Sequence, residues 1–334
     1  MPEPSSAAIT AAPTAVDLAR VQRRTVWVLS LGQILGGIAF GATISLGAVI
    51  VAAITGDDAL SGLATAAVTL GAALFAVPLA ALARRRGRRP SLATGLAAAL
   101  AGVGCVIVAV PAGVFPLLLV GFGLIGAGQA ANLQSRFAAA DLATDASRGR
   151  DISLVVWATT IGAVLGPNLV GPGDALGRML GMPDLTGPYL FTVLAQSAAV
   201  VMYLMALRPD PLLTAQRIAR DAPAAARIAR ADQPRRARYA IIAIAASHGA
   251  MVAVMAMTPV HLIHHGATLT VVGLTISLHI AGMYALSPVF GILADRWGRV
   301  PVILAGQGML AASLVLAGLA AASQTAVTLS LIHI

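Results

Sequence analysis

Residues 291–299 read GILADRWGR, and residues 80–89 read AALARRRGRR. Each stretch follows a long hydrophobic run and places a glycine among arginines. Gly87 and Gly298 stand 211 positions apart (87 to 298), so the same basic turn recurs at corresponding places in the two halves of the chain. This repeat indicates a duplicated helical bundle, an arrangement in which a site can form between the halves.

The composition indicates a membrane protein. Of the 334 residues, 58% are hydrophobic and 10% are charged, and the mean hydropathy is +0.87, far from the values of a soluble domain. All 22 basic residues are arginines, and the net charge is +9. Because the arginines lie in the segments between apolar runs, they favour a membrane surface as partner and argue against nucleic acid.

Nine hydrophobic runs are long enough to cross a bilayer, which takes about 20 residues for roughly 30 Å of hydrocarbon. We predict an all-α membrane protein with a six-helix N-terminal bundle over 25–207 and an incomplete, three-helix C-terminal bundle over 239–328. The predicted helices lie near residues 26–54, 60–82, 91–110, 115–137, 152–171, 188–207, 239–262, 269–293 and 300–322.

The arginines predict the orientation of these helices. If the tail 1–24 is cytoplasmic, 21 of the 22 arginines fall in inner segments and only Arg178 lies outside, which is a strong positive-inside pattern. We therefore expect a multi-pass protein of the cell membrane whose N-terminus is cytoplasmic. The linker 208–238 holds eight arginines, and we expect it to be cytoplasmic, with an interfacial helix around 212–231.

The basic turns resemble the signature of the major facilitator superfamily, which runs Gly, three residues, Asp-Arg, one residue, Gly-Arg and a second basic residue. The second-half copy matches at Gly291, Asp295, Arg296, Gly298 and Arg299. The first-half copy keeps Arg85, Gly87, Arg88 and Arg89 but has Ala80 and Arg84 in place of the Gly and the Asp. The resemblance covers residues 25 to about 322 and implies the major facilitator fold.

The resemblance also implies that the second half is incomplete, because this family has twelve helices. The final residues 329–334 read LSLIHI and resemble the translation of a transposon-end adapter. We expect a C-terminally truncated chain with a non-native tail at 329–334. The alternative is a short protein that pairs with another chain to close its cavity, whereas the full-length protein is expected to be a monomer.

The turns are expected to act as latches when the two halves rock during alternating access. An arginine can pair with a carboxylate on a neighbouring helix, and an aspartate can sit at a helix N-terminus. We predict that Arg85 or Arg88 pairs with Asp141, and that Asp295 faces the start of the fifth helix near Arg148, Arg150 and Ser153. The alternative is that these charges only anchor loops at the lipid headgroups.

The fifth helix carries a glycine-proline element that resembles the motif of drug:proton antiporters. It runs from Gly162 through Gly166 to Pro167, although the usual closing Gly-Gly is replaced by Val170-Gly171. The resemblance implies export. Close packing of small residues explains the glycines equally well.

Polar groups inside apolar runs are costly and are therefore candidate site residues. We predict a substrate cavity lined by Gln33, Gln129, Asn132, Gln196 and His248. Gln129, Asn132 and Arg136 follow one face of the fourth helix, at spacings of three and four residues. For each of the cavity residues alone, an interhelical hydrogen bond is the simpler explanation.

The coupling of transport to protons would depend on histidine. The predicted spans contain no interior Asp or Glu, and Phe122 stands where many exporters of this family carry an arginine on helix four. His248 and His279 remain as groups that titrate near neutral pH. A buried histidine bonded to a hydroxyl is the alternative explanation.

The most consistent function is a secondary active transporter that exports a small, largely apolar molecule by a proton-coupled mechanism. Uptake of a small polar metabolite is one alternative, and a non-transporting membrane receptor or scaffold is another. The expected partners are the substrate, protons and the lipid bilayer. The sequence has no nucleotide-binding loop, metal-ligand spacing or nucleophile elbow, so we expect no enzyme activity, cofactor or metal.

Overall fold

The computed structural model describes residues 15–57, 60–221, 234–264, 266, 269–319 and 329–330. Within these residues the fold is all-α, as predicted, and contains twelve helices. In chain order these are α1 Ala15–Thr55, α2 Leu63–Arg86, α3 Arg88–Ala112, α4 Phe115–Ala138, α5 Arg148–Asn168, α6 Val170–Met179, α7 Tyr189–Ala206, α8 Pro211–Asp221, α9 Pro234–His264, α10 Leu269–Ala285, α11 Ser287–Trp297 and α12 Arg299–Leu319.

Two of the nine predicted spans are each divided into two helices. The fifth span ends with α5, and the chain bends by 49° into α6. The eighth span is interrupted at Leu286, between α10 and α11. Both breaks lie beside a proline, Pro167 or Pro288, and proline favours a break because it has no backbone N–H to donate.

The helices are built to face lipid. In the part of the chain described, six helices are long and apolar enough to cross a membrane, and seven if α5 and α6 form one broken span. Large apolar side chains such as Leu74, Val77 and Leu194 are more than half exposed on their outer surfaces. An apolar surface of this extent on a helical bundle is one that a bilayer would cover.

The first half packs as one bundle. Helix α3 lies against α4 and α7, α1 lies against α5 and α7, and α2 lies against α4. One cluster of buried apolar side chains contains Leu46 and Phe122, and a second contains Leu29 and Tyr203. Along α1, the fully buried Gln33 lies between the two clusters.

The second half contributes α9 to α12, and α10 and α11 pack against α5 of the first half. We call the end of the molecule that carries the turns at Gly87 and Gly298 and the start of α5 the basic end. In the linker, α8 packs against α1, α2 and α3. The rest of the predicted interfacial helix, residues 222–231, and most of the tail 329–334 lie outside the described residues.

Candidate functional site between the two halves

The two halves are joined at the basic end by Asp295. Its Oδ1 accepts a hydrogen bond of 3.0 Å from the backbone N–H of Gly149, and its Oδ2 accepts one of 2.9 Å from that of Arg150. These two N–H groups belong to the first turn of α5, where a helix has no internal acceptors for them and where its dipole favours a negative charge. The contact is the one expected for the second-half turn.

Small residues allow α11 to approach α5 closely beside this contact. A Cβ atom added to Gly291 would overlap the side chain of Ser153 and lie 2.8 Å from the carbonyl oxygen of Gly149. The hydroxyl of Ser287 donates a hydrogen bond of 3.0 Å to the backbone carbonyl of Ser153. We call this set of contacts, together with Asp295, the α5–α11 latch.

The first-half turn makes a different contact, within its own bundle. Arg88 forms a two-pronged pair with Asp141, with 2.8 Å from Nε to Oδ2 and 3.1 Å from Nη2 to Oδ1. Of the two arginines predicted to pair with Asp141, Arg88 forms the pair and Arg85 is exposed. Burial raises the pKa of Asp141, and the nearby Asp210 raises it as well, while the hydrogen bond and charge of Arg88 lower it. Desolvation is the largest of these effects.

Asp210 ties the linker to the same turn. Its Oδ2 accepts a hydrogen bond of 2.8 Å from the backbone N–H of Arg89, and its Oδ1 accepts bonds from the N–H groups of Leu212 and Leu213. One carboxylate thus caps the start of α3 and the start of α8. Gly87 fits this arrangement, because its φ is +95° and a Cβ atom there would overlap the carboxylate of Asp210.

A double-mutant cycle on Arg88 and Asp141 should give a coupling energy of about 1–3 kcal/mol. Either single change to Ala leaves a largely buried charge without its partner, whereas the double variant removes both charges. The measurement is the free energy of unfolding in mixed detergent–SDS micelles at pH 7. Because the pKa of Asp141 is raised in the folded protein, acidification through that pKa should stabilise the wild type at this site. Additive single effects would contradict the prediction.

Gln33 is the centre of a buried polar network that joins three helices. Its Nε2 donates hydrogen bonds of 3.1 Å to the backbone and the side-chain oxygen of Asn132, and a further one to Ser135. Its Oε1 accepts a hydrogen bond of 2.8 Å from Thr159. Gln33 and Asn132, two of the predicted cavity residues, therefore meet, and in this conformation they link α1 to α4 and α5.

The other predicted cavity residues lie in different surroundings. Gln196 is buried between α7 and α3, where its amide donates a hydrogen bond of 3.2 Å to the carbonyl of Leu96. Gln129 is half-buried, and His248 is exposed on α9. His279 is fully buried on α10. The structure thus brings Gln33 and Asn132 together, while the assignment of the others to a cavity stays a prediction.

Arg136 reaches across from the first half to the second. Its guanidinium carbon lies 5.7 Å from the centre of the Tyr284 ring on α10, a distance typical of a cation–π contact. The sequence placed Arg136 on the polar face of the fourth helix but gave no indication of Tyr284 as its neighbour.

The glycine-proline element of α5 lies in a close helix crossing. A Cβ atom at Gly162 would lie 2.8 Å from the Cα of Gly37 on α1 and would also overlap the backbone oxygen of Ile34. Gly166 is buried, and α5 ends two residues later at Asn168. Close packing, the alternative weighed for these glycines, accounts for Gly162.

Two buried carboxylate contacts were missed by the sequence analysis. One is Asp210, which stands directly before Pro211, and an aspartate followed by proline is a helix-start signal that could have indicated its capping role. The other is Asp151, which accepts a hydrogen bond of 2.8 Å from the side chain of Gln22 across 129 residues of sequence. No local pattern signals a pair at that separation.

Comparison with known proteins agrees with the fold. The family model described as Major Facilitator Superfamily matches residues 29–332. The chain is 38% identical over 322 residues to the uncharacterized MFS-type transporter YddS of Bacillus subtilis (strain 168), across 94% of this chain and 72% of that protein. It is 31% identical over 310 residues to the riboflavin transporter RfnT of Brucella anthropi, across 90% of this chain and 74% of that protein.

A solved structure gives the same fold at lower identity. The human organic anion transporter MFSD10 superposes with a TM-score of 0.67 at 18% identity, covering 93% of this chain and 82% of that one. At this identity the likeness concerns the fold alone.

Proposed function

The chain belongs to the Major Facilitator Superfamily of membrane transporters, and on that premise we propose that it exports a small molecule across the cell membrane by proton-coupled alternating access. The N-terminus and the basic end face the cytoplasm in this proposal. The observation that carries it is the α5–α11 latch, which closes one end of the boundary between the halves.

The latch is suited to opening and closing. It consists of two hydrogen bonds from backbone N–H groups to the Asp295 carboxylate, one hydroxyl bond from Ser287, and a contact between small residues. A hydrogen bond to a charged group contributes about 1.5–3 kcal/mol, because water takes its place when it breaks. Such a contact can hold one state without preventing the other, which alternating access requires.

Proton coupling in this proposal rests on a histidine inside the membrane. His279 is fully buried on α10, one of the two helices of the second half that lie against α5. A change of charge at a buried site alters the free energy of the surrounding conformation, because the charged form needs water or a partner. His248, which is exposed on α9, is the second candidate.

Flux into sealed proteoliposomes with an imposed pH gradient tests the proposal. Fluorescent apolar dyes and riboflavin serve as the first transport probes, with His279→Gln and His248→Gln as variants. We expect gradient-driven flux that reverses when the gradient is reversed, and His279→Gln should abolish the dependence on pH while counterflow without a gradient persists.

Each other outcome has a defined meaning in this assay. Loss of coupling in His248→Gln alone would move the proton site to that residue. Normal coupling in both variants would reject a histidine-based mechanism. Substrate movement in the direction of the protons would indicate uptake, and no flux of any probe would favour a non-transporting scaffold.

A further inference from the structure

Arg136 is a partly buried cation near the end of α4, and it forms no ion pair with a described residue. Its Nε is buried and has no hydrogen-bond partner within the described ranges. The Tyr284 ring covers the guanidinium at 5.7 Å. A cation–π contact offsets only part of the cost of partly desolvating a guanidinium, so a second, acceptor-bearing partner for Arg136 would be favourable.

The carboxylates at this end of the molecule are already engaged by other groups. Asp141 is paired with Arg88. Asp151 accepts hydrogen bonds from Gln22 and from the Arg150 guanidinium. Asp295 accepts the backbone N–H groups at the start of α5. Each of these acidic groups therefore has a role that does not involve Arg136.

The guanidinium of Arg136 lies deeper than its position near the end of α4 suggests. Side chains on a helix point back toward its N-terminus, which for α4 is the end opposite the basic end. Its neighbour Tyr284 lies near the end of α10, before the break at Leu286, whereas Asp295 lies near the end of α11 that follows the break. The charge thus lies between the halves, on the central side of the closed latch.

Two further polar groups, a hydroxyl on α5 and an amide on α4, lie on the central side of the latch. Thr160 on α5 lies eleven residues from Gly149, which contacts Asp295, so it lies about 16 Å of helical rise from the latch. Its buried hydroxyl has no hydrogen-bond partner among the described residues. Asn132 lies one helical turn from Arg136 toward the centre. A guanidinium, a hydroxyl and an amide are together the donors that an oxyanion requires.

We infer that the transported compound is a small organic anion, and that Arg136 binds its carboxylate, phosphate or sulfonate group between the halves. The inference rests on the proposed transport function and names its substrate class. Tyr284 covers the guanidinium when the anion is absent, and an apolar body is accommodated by the alanine-rich and leucine-rich helices around it.

The first test needs no ligand. Arg136→Met removes a partly buried charge that lacks a counter-ion among the described residues, so it should raise the Tm of the purified protein in detergent by about 2–4 °C. Arg86→Met, which removes the same charge from an exposed position at the basic end, should leave Tm unchanged. A lower Tm in Arg136→Met would show that the residue stabilises the fold, and would overturn the inference.

The second test measures binding with a matched set of probes. Naphthalene-2-carboxylate, 2-naphthyl phosphate and naphthalene-2-sulfonate share one apolar body with the neutral 2-naphthamide. At least one anion should raise the Tm of the wild type while the amide does not. Arg136→Met should weaken that binding by tenfold or more, and Arg136→Lys should retain part of it because the positive charge remains.

The binding result separates this inference from the transport proposal, because it requires no gradient. Anion binding that depends on Arg136, without flux, would support Arg136 as the anion-binding residue and reject the transport proposal. Gradient-driven flux of a neutral dye that is unchanged in Arg136→Met would support the transport proposal and reject the inference about Arg136. Binding of the amide as tight as that of the anions, or no response to any anion, would overturn the inference.

Discussion

Replacing Asp295 with Ala is expected to raise the labelling rate of a cysteine at position 153, from the basic end, by about tenfold. The change removes the carboxylate that accepts two backbone N–H groups of α5. Ser153 is 8% exposed and lies under Gly291 in the latch, so labelling at this position reports separation of α5 from α11. The measurement is the rate of reaction of Ser153→Cys with a charged maleimide in a Cys105→Ser background, which has no other cysteine.

A neighbouring aspartate supplies the control for this experiment. Asp145 pairs with Arg148 at 3.3 Å, but its side chain is 72% exposed. Exposed pairs of this kind contribute little to stability because water and salt screen them. Asp145→Ala should therefore leave the labelling rate unchanged. Equal rates in Asp295→Ala and the parent protein would exclude Asp295 as a latch.

The contact of Asp295 with α5 could be predicted from the sequence because its residues form a local pattern that a known family shares. Gly291, Asp295 and Gly298 form a short pattern, and the resemblance to the major facilitator superfamily implies, through the pseudo-symmetry of that family, that this turn faces the fifth helix. The contact of Asp295 with the start of α5 confirms this prediction. Its chemistry is general, because any helix N-terminus offers unpaired N–H groups.

The partner of Asp141 could not be chosen from the sequence. Arg85 and Arg88 lie on opposite sides of Gly87, and the choice depends on the path of the chain through a residue with a φ of +95°. A left-handed glycine turns the chain by an amount that residue types do not encode. The structure places Arg88 at the start of α3, within reach of Asp141.

The sequence is even less able to show which partners the polar residues inside the predicted spans contact. Gln33 and Asn132 were both predicted as cavity residues from their types, and they do form a hydrogen bond. Nothing in the sequence separated Gln33 from Gln196, which bonds to the backbone of α3 instead. The direction in which a buried amide points depends on the rotation of each helix about its axis, and that rotation is set by packing against neighbours.

Replacing Gly162 with Leu is expected to lower the free energy of unfolding by about 3 kcal/mol, in the upper part of the range for overpacked sites. The new side chain would have to enter a crossing where the nearest atoms are the backbone of Gly37 and Ile34. Backbone atoms cannot change rotamer, so α1 and α5 must separate along their length. For a bundle of this size the loss corresponds to a fall in Tm of roughly 6–12 °C.

Gly104 provides a matched control within the same bundle. It lies in the interior of α3, is exposed, and has no atom within 4 Å of an added Cβ. Gly104→Leu should therefore keep or raise Tm, because leucine is a better helix former than glycine by about 0.5–1 kcal/mol. The two variants share the same chemical change, so their difference isolates the contact between α1 and α5. Equal Tm values for Gly162→Leu and Gly104→Leu would show that this crossing tolerates a side chain, and the glycine of the helix-five element would then need a role other than packing.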